Sequence, residues 1–423
     1  MRHVIAMFSR FAALFGVLVF CVLVGPAAPA QEWTRFRGPN GGGLGEAAAL
    51  PTSWTEQDYN WRIELPGIGH SSPVLWGKRI FLTSAIEETA ERILLCLDAD
   101  SGKILWQRRY DSTVHPKHLR NSFATPSPTC DEHHAYFVWS TPDAYTLVAT
   151  DHDGHEKWKI DLGPYAAQHS AGPSPIVYGD LIVLGNDQDA ESSLVAFDRM
   201  TGDLRWQTPR KTEFVSYATP CVLRREGLPD ELIFLSGAHG VSGIDPKSGK
   251  TNWELDVFDK RTCASPVIAG GLIWGSCGSG AGGNYVVAVR PGSPDGTVKP
   301  QEIWKITDAA PYVPTMVAKG NLVFLWSDKG LVSCYSATTG QPVWKQQRVG
   351  SNFSGSPVCV GDHLYCIAEN GDVVVIAASE QYEMVSRNPL GEDSRSTPAV
   401  AGGRMYLRTY SHLVSIGGKM PQK

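Results

Sequence analysis

The sequence is poor in the features that mark most functional classes. Only 19% of its 423 residues are charged, and no run of five or more like charges occurs. That excludes acidic or basic interaction tails. A net charge of −5 supplies none of the basic surface that nucleic-acid binding needs. There is no C-x-x-C and no vicinal cysteine pair, so neither a zinc site nor a dithiol redox motif is encoded. G-x-S-x-G, H-E-x-x-H and the phosphate-cradling P-loop are missing as well.

What is abundant points one way. Gly 43 and Pro 28 resist a helical bundle, and 42% hydrophobic content resists disorder. With Trp 13, Tyr 14 and Phe 14, the chain reads as many short strands separated by turns.

Residues 1–30 read as a leader rather than as fold. Arg2 and Arg10 precede an apolar stretch from Phe11 to Gly25, and Ala28-Pro29-Ala30 supplies a small-x-small end with cleavage expected before Gln31. A retained anchor and acylation at Cys21 are the alternatives. The stretch is short for a ~20-residue span, and Phe20 stands where lipoprotein signals need Gly, Ala or Ser. The mature chain then carries net −7, since Arg2 and Arg10 leave with the leader. It is expected to be exported to the periplasm or cell envelope, with no transmembrane span. It keeps eight cysteines, and export makes disulfides permissible. Cys263 and Cys277 flank a turn at Gly270-Gly271 and form the candidate pair.

The strongest signal is a repeat. A Ser/Thr-Pro step, a short apolar run, a Gly turn and a second apolar run recur at Pro73, Pro128, Pro175, Pro220, Pro266, Pro314, Pro357 and Pro398. A second phrase follows each hairpin: an apolar strand, a turn, Gly, three residues and Trp. It ends at Trp106, Trp158, Trp206, Trp253 and Trp344, with a degenerate copy at Trp304. Cys96, Cys334, Ala196 and Gly243 share one repeat position, where small size explains the choice. Four short strands per repeat make a β-propeller blade. Trp61 lies in a fourth-strand phrase ahead of the first proline, while the chain after Pro398 supplies only three strands. An N-terminal strand near Trp61 therefore closes the ring and removes the sheet edges that an open solenoid would have to cap. The expected fold is all-β, an eight-bladed propeller of four-stranded blades over 59–423, with an N-terminal extension over 31–58. The recurrent tryptophans, from Trp61 to Trp344, are expected to pack between blades.

The phrase Ala196-Phe197-Asp198-Arg199-Met200-Thr201-Gly202 to Trp206 resembles the tryptophan-docking repeat of quinoprotein propellers. That group includes pyrroloquinoline-quinone (PQQ) alcohol dehydrogenases and the propeller subunit of the outer-membrane β-barrel assembly machinery. Trp33-Thr34-Arg35-Phe36-Arg37-Gly38-Pro39-Asn40 and Asn388-Pro389-Leu390-Gly391-Glu392 resemble a group of exported, stand-alone PQQ-like repeat proteins. The resemblance implies that the strand bearing the Ser/Thr-Pro step is innermost. Residues just before each proline would then ring one mouth of a central channel: His70, Arg120, Asn121, His169, Tyr217, Arg261, Tyr312, Asn352 and Arg395. Nearby acids (Glu213, Asp259, Asp308, Asp393) lie farther from the prolines, so the mouth is expected to be positive and to favour a carboxylate-bearing ligand or an acidic peptide.

The family's enzymes use a vicinal disulfide over the quinone and Glu, Asn and Asp around Ca²⁺, and none of these is matched. Asn186-Asp187-Gln188-Asp189 offers oxygen ligands but reads as a solvated loop, His133-His134 as surface, His152 and His155 as turn residues, and Gly275–Gly283 as a flexible loop. The expectation is a monomeric, non-catalytic envelope scaffold. It needs no cofactor or metal and takes a protein or peptide partner or an anionic small ligand. The alternative is a PQQ-dependent dehydrogenase acting with calcium.

Overall fold

The computed structural model describes residues 32–46, 50–211 and 214–418. The leader 1–30 and Glu213 lie outside them. The described chain forms eight sheets, each built of four antiparallel strands, arranged as blades around a channel. Blade 1 runs outward through Val74–Trp76, Arg79–Ala85, Arg92–Asp98 and Ile104–Tyr110. Blade 8 has Ala399–Ala401, Arg404–Arg408 and His412–Gly417, and its outermost strand is Trp61–Glu64, with Trp61 opposite Ser415. The ring closes through the strand near Trp61, as the orphan phrase predicts.

Burial explains the sequence pattern. The middle strands, such as Arg92–Asp98 and Asp372–Ala377, are buried on both faces between neighbouring blades. They therefore read as continuous apolar runs. The outermost strand Ile104–Tyr110 alternates half-buried and exposed residues, as one wet face requires.

The tryptophans sit on these outer strands. Trp61 Nε1 donates to Ala99 O in the next blade, Trp106 to His152 O, Trp158 to Arg199 O, Trp206 to Pro246 O and Trp344 to Ser379 O. Trp253 instead donates to Glu231 Oε1 within its own blade, 2.9 Å away. Except at Trp344, whose ring meets Tyr382, each indole face lies on a glycine of the neighbouring blade. Gly102 has φ +74°, and a Cβ there would stand 2.7 Å from Trp61 Cδ2. Only glycine permits both the turn and the contact. Across the strand pair each of these tryptophans, and Trp304 with them, faces a small residue: Ser415, Cys96, Ala149, Ala196, Gly243, Ala288 and Cys334.

One register differs from the sequence reading. The innermost strand of blade 6 is Val317–Lys319, so Met316, not Pro314, occupies the proline position, and Thr315 is the residue before it. Val313-Pro314 imitates the repeat step two residues early.

The N-terminal extension is part of the architecture. Trp33 O accepts Leu75 N, Thr34 O accepts Cys130 N, and Gly43 O accepts Cys359 N. Asn40 exchanges two hydrogen bonds with Val222, and Leu44–Gly45 adds a parallel strand to Val358–Val360 in blade 7. The segment crosses under blades 1, 2, 4, 6 and 7 and seals the base of the channel. Arg35 donates to Pro220 O. Arg37 Nη1 and Nη2 donate to Pro357 O and Met316 O, each at 2.8 Å. Both side chains are buried and pair with no carboxylate among the described residues. Burial pulls their pKa values down, to about 10 and about 9, which leaves them charged at neutral pH.

Candidate functional site: a blind central channel

Above this seal lies a channel of about 1020 Å³. Phe36 forms its floor, and His70, Arg120, Asn121, His169, Tyr217, Arg261, Tyr312, Asn352 and Arg395 all line it. The structure thus gathers all nine residues singled out in the sequence around one cavity.

The Ser/Thr before each repeat proline, and Thr315 before Met316 in blade 6, has a specific job. Ser72 N–H donates to Ser127 Oγ, Ser127 to Ser174, Ser174 to Thr219 and Thr219 to Ser265. The circuit continues from Ser265 to Thr315, Thr315 to Ser356, Ser356 to Thr397 and Thr397 back to Ser72. Every bond is 2.8–3.1 Å and runs from one blade to the next in the same sense. The hydroxyl satisfies a buried backbone donor of the adjacent blade. In seven blades the residue that follows is a proline, which has no N–H to satisfy where its strand begins; in blade 6 it is Met316.

At the mouth the cations differ in how far they are engaged. Arg395 donates to Tyr410 Oη and to Arg120 O, and its Nη2 lies 3.7 Å from Glu369. Arg261 Nη1 donates to Gln168 Oε1 at 2.6 Å. The exposed Arg120 guanidinium makes no hydrogen bond or ion pair within the described residues. His118 and His169 stack with ring centroids 4.1 Å apart, and His169 meets Tyr217 edge-on at 5.8 Å. Burial, then His118 and Arg261, hold His169 down to about pKa 4. Burial, then Arg395 and Arg408, hold His70 down to about 3. His70 Nδ1 and Tyr217 Oη are buried without a hydrogen-bond partner among the described residues.

Sequence reasoning missed the acids. Asp328 and Glu369 reach the mouth from the turns after the second strands of blades 6 and 7, where Asp187 holds the matching place in blade 3. A comparison of residues at that repeat position would have found them. All three are engaged. Asp328 Oδ2 and Oδ1 accept Tyr312 N and Val313 N, at 2.7 and 3.0 Å. Burial nevertheless raises its pKa. Glu369 accepts Ser354 Oγ at 2.6 Å, and Asp187 pairs with buried Arg210 at 3.3 Å.

Other expectations are corrected by packing. Cys263 and Cys277 form no disulfide. Cys277 faces the apolar core with Tyr285, whereas Cys263 lines the channel beside Tyr312. Asn186, Asp187 and Gln188 are buried rather than solvated, because Gln188 bonds Asn186 and Ala166 N. His134 is buried rather than surface, packed on Tyr136. The glycine-rich stretch is a strand through Cys277, and Gly278, Gly280, Gly282 and Gly283 then line the channel wall.

Comparison with known proteins sets this geometry in a family. The family described as outer membrane protein assembly factor BamB matches residues 54–225 and 286–418. The chain belongs to that family. BamB from Moraxella catarrhalis superposes with TM-score 0.61 at 14% identity, covering 89% of this chain and 100% of that one. Quinohemoprotein alcohol dehydrogenase from Comamonas testosteroni gives 0.64 at 11% identity, covering 93% and 82%. The computationally designed Ika8 protein gives 0.60 at 12%, covering 85% and 99%. These likenesses establish the shared propeller fold. In sequence, the quinoprotein alcohol dehydrogenase PedH of Pseudomonas putida is 36% identical over 76 residues, 18% of this chain and 12% of that protein. The chain is a PQQ-like propeller related to both assembly factors and quinoprotein dehydrogenases. No helix among the described residues is long and apolar enough to cross a membrane.

Proposed function

We propose that this chain is an exported, non-catalytic scaffold of the cell envelope that takes an acidic protein or peptide at the channel mouth. The observation that carries the reading is the contrast in engagement at that mouth. Asp328, Glu369 and Asp187 are tied to backbone N–H groups, a hydroxyl or an arginine, while Arg120 has its donors available. Leu119, next to it, is 96% exposed, and Phe214 on the same rim is 39% exposed. Cationic and apolar groups side by side suit an acidic segment that carries apolar residues.

The calcium and quinone that the resemblance implies fit poorly with these residues. A hard cation needs several oxygen ligands. Among the described residues the one carboxylate lining the channel, Asp328, already accepts N–H bonds on both oxygens, and burial favours its protonated form. No group of three or more His, Cys, Asp or Glu able to hold a metal occurs among the described residues. The dehydrogenase reading rests on the PedH-like segment.

A single experiment separates the two. Purified protein is mixed with PQQ and Ca²⁺, and thermal shift and dye-coupled alcohol oxidation are recorded, with cross-linking in the envelope in parallel. The scaffold reading expects no turnover and a cross-linked acidic partner whose capture weakens in Arg120→Ala. Saturable PQQ stabilisation with turnover would overturn it.

A further inference from the structure

The circuit of hydroxyls around the channel carries a second consequence. Each belt oxygen accepts a backbone N–H from the blade before it. None of the eight O–H groups donates to an acceptor among the described residues. A hydroxyl that accepts still has a proton to give. These side chains are buried, and seven of the eight line the channel. The belt is therefore a closed ring of available donors. Asp328, the only carboxylate of the lining among the described residues, is held at the mouth by Tyr312 N and Val313 N.

We propose that the belt seats an oxyanion, the carboxylate or phosphate group of a small organic molecule that stands upright in the channel. Neighbouring O–H donors along one side of the belt that reach one negative group would make charge-assisted hydrogen bonds, which are about twice as strong as neutral ones. A ligand rich in donors finds little to accept them here. The volume of about 1020 Å³ is far larger than a bare ion and lies at the upper end of small-molecule sites. The ligand therefore has an organic body, and the aromatic rings of Phe36, Tyr217 and Tyr312 are placed against it. Lys260, Arg120 and Arg261 at the mouth match a second oxyanion at its other end. The seal beneath Phe36 leaves the mouth as the way in. The proposal rests on reading the channel as a binding site rather than a catalytic one.

The test is isothermal titration of the intact chain at constant ionic strength with citrate, fructose 1,6-bisphosphate and sorbitol. Saturable one-to-one binding of citrate assigns a carboxylate ligand, that of the bisphosphate a phosphate ligand, and sorbitol gives no heat. Thr219→Val removes one belt hydroxyl at constant shape and is expected to weaken the bound anion about tenfold, or about 1.4 kcal/mol. Thr219→Ser restores it. Should Thr219→Val fail to fold, Ser174→Cys replaces a strong donor by a weak one and carries the same comparison. Heat from neither anion, equal binding of sorbitol, or wild-type affinity in the belt variants would overturn the proposal. A chain that captures an envelope partner yet binds neither anion rejects the belt site alone. Turnover with PQQ rejects the scaffold reading instead.

Discussion

Arginine is used in two opposite ways at the two ends of the channel. At the base, Arg35 and Arg37 are buried and bonded to strand carbonyls, so their charge joins the N-terminal segment to the ring. At the mouth, Arg120 is exposed with its donors available, and Arg261 meets only an amide. The same side chain is structural where its hydrogen bonds are complete and a recognition group where they are not. Composition cannot distinguish these uses, because the difference lies in which carbonyls the fold brings within reach.

The contrast can be broken at either end. The largest expected effect is at the base. Arg37→Met leaves the carbonyls of Pro357 and Met316 without their donor inside the protein, and each such loss costs about 1–3 kcal/mol. A fall of about 3 kcal/mol or more in unfolding free energy is expected from urea titration, with anion binding at the mouth unaffected in the fraction that remains folded. A midpoint equal to wild type would mean that the seal is dispensable.

A smaller effect concerns acid. His70 and His169 have native pKa values of about 3 and about 4, below the ordinary 6.5. Between about pH 6.5 and 4 the unfolded chain binds protons that the native chain does not, so stability rises with pH and is lost on acidification. The arginines of the base stay charged throughout that range and contribute no slope. His169→Phe should flatten part of the decline between pH 7 and 4.5 in urea midpoints. An unchanged slope would show that the decline arises elsewhere. An anion bound beside His169 favours its protonated form, so anion affinity should tighten over the same interval as pH falls.

The smallest effect on folding is predicted at the mouth. Arg120→Ala should change stability by less than about 0.5 kcal/mol, yet weaken partner capture and make it less sensitive to salt. A large loss of stability would show that this arginine, like those beneath it, is structural.

Periodicity carried the fold because the propeller repeats one solution eight times. The Gly-to-Trp interval is legible since Gly102 and its counterparts must lie on an indole, and a ring closed near Trp61 follows from unequal ends. The mouth was legible for a related reason, as the residues ahead of each proline share one repeat position. What escaped depends on exceptions to the repeat or on contacts distant in sequence. Pro314 misled because proline is permitted two residues before the position that Met316 fills. Cys263 and Cys277 sit near each other along a hairpin, but their side chains go to different surroundings. Asp328 and Glu369 arrive from another turn of the blade. The extension 31–58 offered no pattern that revealed where Arg37 would find its carbonyls.

The hydroxyl circuit and the strand Trp61–Glu64 join the two ends of the ring at different radii. The strand is an outer clasp, and the Thr397-to-Ser72 bond is an inner one. Fraying of the outer clasp leaves the hub fastened. The hub's bore is then set by backbone-to-hydroxyl spacing rather than by the bulk of the residues that line it. Evolution or design can exchange the residues at the rim and so change what enters, while the gauge of the passage stays fixed.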